Sequence, residues 1–220
     1  TGTDMNVKSK KLTMIGMLCA VAYIVMVVGR FPVVLFLKYD PKDVVITIGG
    51  FIFGPMTSFL ISLIVSLIEM VTVSETGPIG CIMNILSTCC FACTAAFIYK
   101  KQHTMKGAIT GLVAGCLLTT AVMLLWNYLI TPIYMGYPRE AVAELLLPAF
   151  LPFNLLKGGL NTVITLLIYK PIVTAMRKAG FLETTSPQGA VRQRRTGIML
   201  VCAVLLITLI FLMLVLRGIA

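Results

Sequence analysis

The sequence predicts an all-α integral membrane protein, with six spans in one bundle and an additional transmembrane helix at the C-terminal end. Three observations predict this class. The 220 residues are 59% hydrophobic and only 12% charged, with a mean hydropathy of +1.00. That is far more apolar surface than a soluble domain of this length needs. Uncharged runs reach the roughly 20 residues that cross a hydrocarbon core of about 30 Å. Lys and Arg sit at the ends of those runs. A β-barrel is excluded, because alternating segments of about ten residues are missing.

Spans are expected at 12–29, 44–54, 55–73, 78–99, 107–130, 148–169 and 197–216. The organisation follows from them: an N-terminal cytoplasmic segment over 1–11, a six-helix domain over 12–180, a basic linker over 181–196, and the seventh helix with the C-terminus over 197–220. The residues ahead of Met5 are set aside as an added leader, and no cleavable signal is expected. The second span is short. Gly49, Gly50, Gly54 and Pro55 in "IGGFIFGPM" predict a tight break before the third. Segment 170–180 reads either as a surface-lying helix or as a cationic helix end.

With the N-terminus in the cytoplasm, Lys8, Lys10, Lys11, Lys100, Lys101, Lys106, Lys170, Arg177, Lys178, Arg192, Arg194 and Arg195 fall inside. Arg30, Lys38, Lys42, Arg139 and Arg217 fall outside. This bias sets the orientation. The net charge of +10 is therefore a topological signal. It forms no basic stripe with interleaved aromatics, so nucleic acid is not an expected partner. The seven cysteines lie in apolar runs. The lone CxxC of Cys90 and Cys93 has no second pair and no histidine nearby, so no metal site is expected.

Polar residues within the spans carry the functional signal. Lys157 lies roughly 14 Å below Pro148, close to mid-bilayer. An ammonium there costs about 2.5–3.5 kcal/mol unless it faces protein or a cavity. Asn154 is one turn nearer the outside on the same face, and Asn161 one turn deeper. Asn84 on the fourth span and Asn127 on the fifth fall in the same outer half. Ser62, Ser66 and Glu69 form a stripe on the third span. Together they describe a pocket open to the outside and closed toward the cytoplasm. Asn84 and Asn161 equally fit a role as interhelical glue, Trp126 and Tyr128 fit an aromatic belt, and Glu69 fits a helix end near water. The loop over 30–44 reads either as a lid, with Phe36 and Leu37 over an aromatic ligand, or as a segment lying on the interface.

Intramembrane catalysis lacks its parts. The single histidine, His103, sits in an inner loop, Asp40 and Asp43 are in the outer loop, and no GxxxxGK[ST] motif is present. The chain is therefore not expected to be an enzyme. A stand-alone secondary transporter would show repeated halves, and no repeat is evident. A capture subunit that depends on partners fits better.

Four ordered motifs carry a family resemblance: "FLKYDPKDVVITIGGFIFGP" (36–55), "TVSETGPIGCIMN" (72–84), "LLWNYLITPIYMG" (124–136) and "LPFNLLKGGLN" (151–161). Over about residues 8–180 the chain resembles the riboflavin-specific substrate-binding (S) subunit of energy-coupling factor (ECF) transporters. The resemblance implies a six-helix S-component bundle that takes up riboflavin from outside a prokaryotic cell, across its plasma membrane. It implies a membrane coupling (T) subunit and two ATPase subunits as partners. Riboflavin is then cargo, with no resident cofactor. Asn127, Asn154 and Lys157 occupy the positions that hold the flavin ring. The first loop, with Phe36, Leu37 and Asp40, contributes enclosure. Residues around Gly77 to Asn84 line the same pocket, and Tyr128 is placed to contact the ring. Gly16 and Ala20, a small-xxx-small pair on the first helix, match the docking position for the coupling subunit. A phosphorylated flavin or another vitamin is the alternative ligand. The span over 197–216 is not explained by the family pattern.

Overall fold

The computed structural model describes residues 2–34, 37–180, 202–203, 205–210 and 212–214. Phe36 and the predicted linker over 181–196 lie outside the described residues, as does part of the seventh span.

The first helix, α1 (Gly2–Gly29), is one uninterrupted element. Its apolar part has no Pro to stop it before Gly29 and Pro32. The loop that follows is a β-hairpin, which the sequence reading did not predict. β1 (Phe31–Val34) pairs antiparallel with β2 (Leu37–Tyr39), with Phe31 opposite Tyr39 and a register shift between Pro32 and Val34. Val33, Leu37 and Tyr39 are buried. The hairpin therefore packs over the bundle end as a cover and is not a loop lying on the interface.

Helix α2 (Lys42–Phe53) and helix α3 (Pro55–Thr72) meet at Gly54, as the glycine–proline break predicts. Gly54 has φ of 100°, a region that an L side chain avoids, and Pro55 opens α3 at a position where a missing N–H costs nothing. The twelve residues of α2 are only about 18 Å long, so this predicted span does not reach across a bilayer by itself. Helix α4 (Gly77–Thr88) continues through a π-helical turn, Cys89–Cys93, into α5 (Thr94–Gln102). Helix α6 (Met105–Leu129) leads to two short helices, α7 (Thr131–Met135) and α8 (Arg139–Leu145). A second π turn, Leu146–Phe150, contains Pro148 and opens into α9 (Leu151–Lys178). Residues 170–178 simply continue α9, so the helix-end reading of that segment is the one realised.

Among the described residues five helices are long and apolar enough to cross a membrane: Val7–Gly29, Pro55–Thr72, Gly77–Gln102, Met105–Leu129 and Arg139–Lys178. They pack closely because small residues permit it. A Cβ on Gly111 would stand 2.7 Å from the Ala95 carbonyl oxygen, and one on Gly115 would stand 2.6 Å from that of Phe91. The gain here is backbone-to-backbone packing, the main attraction between helices when lipid removes the hydrophobic drive.

The two ends of the bundle differ in chemistry. At one end Phe51, Tyr99 and Tyr169 interlock, with Phe51 5.3 Å from Tyr169 and 4.5 Å from Tyr99, centroid to centroid. The Tyr99 and Tyr169 hydroxyls are 2.5 Å apart. At the other end lie the hairpin and a cavity.

Candidate functional site

The cavity encloses 340 Å³ at the hairpin end. Every wall comes from a different part of the chain. Asn84 and Ser87 project from α4, Met123 and Asn127 from α6, and Phe153, Asn154 and Lys157 from the first turns of α9. Leu37, Lys38 and Asp40 come from the hairpin side, Arg30 from the end of α1, and Glu69 from the end of α3. Met83, Met123, Met135, Phe153 and Leu37 make apolar walls. Methionine thioethers adapt to a flat ring and attract its edge.

The amides are buried and oriented. Asn127 is 2% exposed. Its Nδ2 donates to the Met123 carbonyl at 2.8 Å, and its Oδ1 accepts from Thr131 Oγ1 at 2.9 Å. Asn154 Nδ2 donates to the Phe150 carbonyl at 2.8 Å. An amide carries two N–H donors and a carbonyl, so both side chains are fixed by their own helices and keep hydrogen-bonding capacity for a ligand.

Lys157 Nζ stands 3.6 Å from Asp43 Oδ2 and its side chain is 14% exposed, toward the cavity. One side chain thus both pairs with a carboxylate and reaches the cavity. Asp43 Oδ1 accepts from Thr88 Oγ1 at 2.7 Å, and its Oδ2 accepts from Asn161 Nδ2 at 3.4 Å. Asn161 Oδ1 in turn accepts from the Tyr39 hydroxyl at 2.9 Å. Burial, followed by the Asp43 and Asp40 charges, pushes the Tyr39 phenol up, so it stays a donor. A continuous polar chain therefore links hairpin, α9, α2 and α4, and Asn161 belongs to that scaffold.

A second group of charges closes the floor. Lys42 is 1% exposed and donates to Glu69 Oε2 at 2.7 Å, with Asp40 Oδ2 3.8 Å away. Arg30 donates to Asp40 at 3.1 Å and also to Glu69. Burial alone would raise the Asp40 carboxyl. Lys42, Lys157 and Arg30 outweigh it and hold the group below the usual carboxylate range. Three cations (Arg30, Lys42, Lys157) and three anions (Asp40, Asp43, Glu69) thus pair under the hairpin.

This corrects the sequence reading at Lys42 and Asp43, expected as outer-loop charges, while Asp40 lines the cavity as the resemblance implied and Glu69 takes the pocket-stripe place rather than the wet helix end. All four are less than 5% exposed. The physical reason is the hairpin, which covers the start of α2 and desolvates charges that must then pair. By contrast Lys38 and Glu75 pair at 2.7 Å on the open rim, with side-chain exposures of 34% and 75%.

Of the sequence-predicted site residues, Leu37, Asp40, Asn84, Asn127, Asn154 and Lys157 come together around the cavity. Gly77 opens α4 beside the lining residue Thr76 but is not itself in the wall. Tyr128 is 38% exposed, with the Arg139 guanidinium 5.6 Å from its ring centre. It stands on the outside of α6, because the next residue on a helix points about 100° away from Asn127. Gly16 and Ala20 are exposed on one face of α1, and nothing packs within 4 Å of a Cβ placed on Gly16. Sequence reasoning missed Arg30, Ser87, Met123 and Tyr134 as lining residues, whereas Met83 falls in the Gly77 to Asn84 stretch expected there. The only signal for Arg30 was an arginine directly after an apolar run.

Comparison with known proteins places the chain among transporter subunits of this fold. The chain is 30% identical to the riboflavin transporter FmnP of Bacillus subtilis (strain 168) over 186 residues, 78% of this chain and 98% of that protein. It is also 30% identical to the riboflavin transporter RibU of Streptococcus thermophilus (strain ATCC BAA-250 / LMG 18311), over 77% of this chain and 86% of that protein. A solved S component of a bacterial ECF transporter superposes with a TM-score of 0.66 at 28% identity, covering 77% of this chain and 99% of that one. The model of the ECF transporter substrate-specific component matches residues 10–169, well over half of the chain, and the protein belongs to that family.

Proposed function

We propose that the chain captures riboflavin from outside the cell and delivers it as the substrate-binding subunit of an ATP-driven ECF transporter. The observation that carries the reading is the meeting of Asn127, Asn154 and Lys157 on one cavity walled by methionine and phenylalanine. Isoalloxazine is flat and largely apolar, with carbonyls and ring nitrogens along one edge. Two amides and an ammonium can pair with such an edge while the sulfur and aromatic walls cover its faces. The 340 Å³ falls in the range of about 300–1,000 Å³ usual for small-molecule sites. Both named relatives are riboflavin transporters.

The decisive experiment is the absorption spectrum of the purified protein, followed by titration with riboflavin. A yellow protein, or one that quenches added riboflavin fluorescence stoichiometrically, is expected. A colourless protein that fails to bind riboflavin overturns the reading, and preference for flavin mononucleotide moves it to a phosphorylated flavin.

In this reading the hairpin end faces outside and the N-terminus lies in the cytoplasm, as the distribution of Lys and Arg supports. The chain hydrolyses no ATP itself. That falls to two ATPase subunits, joined through a membrane coupling subunit. The exposed Gly16 and Ala20 face of α1 would let a partner helix approach closely. Replacing both by Leu should abolish uptake in cells while leaving riboflavin affinity of the isolated chain unchanged. Normal uptake by the double variant would remove α1 from the docking surface.

A further inference from the structure

The C-terminal segment lies beyond the family match, which ends at residue 169. Its described residues are helical and divide sharply by face. Cys202 and Met213 are buried, and Leu206 and Leu209 pack against the cluster that contains Met213. Their spacings of four, three and four place them on one stripe of a helix. Leu205, Ile207, Ile210, Leu212 and Leu214 are exposed. An exposed face this apolar suits hydrocarbon, so the stripe is the side that meets protein.

Two contacts show what the stripe covers. A Cβ on Gly159 would stand 3.4 Å from Leu209 Cδ1, and Gly159 is two residues past Lys157. Met213, one turn further on, joins the buried cluster of Phe150, Phe153 and Leu156 at the start of α9 with Val33, Leu37 and Tyr39 of the hairpin. The stripe thus meets α9 at Gly159 and shares one buried cluster with the hairpin. A hairpin with strands of four and three residues is marginal on its own, so its closure depends on such packing.

We propose that the C-terminal helix is an intramolecular brace that holds the β-hairpin against α9 and thereby slows opening of the cavity. Its effect on hairpin opening stands on packing alone. Its effect on ligand residence time rests on the proposed flavin function.

The test uses the full chain in lipid nanodiscs. In a Leu209→Ala, Met213→Ala double variant, hydrogen exchange of the hairpin amides over 31–39 should be at least about tenfold faster, with α6 amides unchanged as a control of folding. Riboflavin dissociation, followed by fluorescence recovery, should accelerate in parallel. Hairpin exchange identical to the parent overturns the brace. A second variant, Gly159→Cys with Leu209→Cys, should yield that cross-linked peptide pair by mass spectrometry after mild oxidation. Absence of the pair overturns the placement of the helix. If hairpin exchange responds but the parent binds no riboflavin, the brace stands and the flavin reading falls. If riboflavin binds tightly and neither rate moves, the reverse holds.

Discussion

Lys157→Ala is expected to weaken riboflavin binding at least tenfold. The Lys157 ammonium shares the cavity wall with the Asn127 and Asn154 amides and reaches the cavity with 14% of its side chain exposed. A hydrogen bond to a charged group contributes about 1.5–3 kcal/mol, and about 1.4 kcal/mol is a factor of ten in affinity. The loss should therefore fall between about tenfold and a hundredfold. The fold should survive. Asp43 loses a cation at 3.6 Å but keeps Thr88 at 2.7 Å and Asn161 at 3.4 Å. Titration by fluorescence quenching reads the effect, and the melting temperature of the empty protein separates it from misfolding. Unchanged affinity would show that Lys157 is only the partner of Asp43.

Lys42→Met should act in the opposite manner, on stability first. The Lys42 side chain is 1% exposed and its ammonium lies 2.7 Å from Glu69. Glu69 keeps Arg30 but loses its fully buried cation, and breaking a buried ion pair costs about 3–5 kcal/mol. Methionine keeps most of the stem volume, so the change isolates the charge. At about 2–4 °C per kcal/mol for a chain of this size, the melting temperature should drop by roughly 10 °C. Lys38→Met is the comparison. Its pair with Glu75 has the same 2.7 Å separation, yet an exposed pair contributes only about 0–1 kcal/mol. Equal melting temperatures for the two variants would mean that water reaches Lys42 after all. Burial, not distance, decides which pair matters.

The site was partly legible because a bilayer makes polar residues conspicuous. Asn154 and Lys157 in "LPFNLLKGGLN" stand out of an apolar run, and helical rise places them in the same outer half of the membrane as Asn84 and Asn127. Depth was enough to predict that these residues share a region, and they line one cavity. It could not separate neighbours on one helix. Asn127 turns inward to 2% exposure while Tyr128 turns out to 38%, and a run apolar on all sides offers no amphipathic pattern to tell them apart. The ion network was harder still. Arg30 meets Glu69 across 39 positions of sequence, and Lys42 meets it across 27. Nothing local marks either pair.

By itself the sequence determined the solvent of this protein, the break at Gly54 and Pro55, and the depth of the polar residues. Each follows from one-dimensional quantities: run length against bilayer thickness, backbone restrictions of single residues, and a rise of about 1.5 Å per residue. The tertiary structure alone decided that 31–39 is a hairpin, that its cover turns Asp40, Lys42 and Asp43 from loop charges into a buried network, and that Asn161 supports the site from the scaffold. Those outcomes depend on desolvation. A charge in a loop is harmless in water and costly under a lid, and whether the lid is there is a property of contacts between distant parts of the chain.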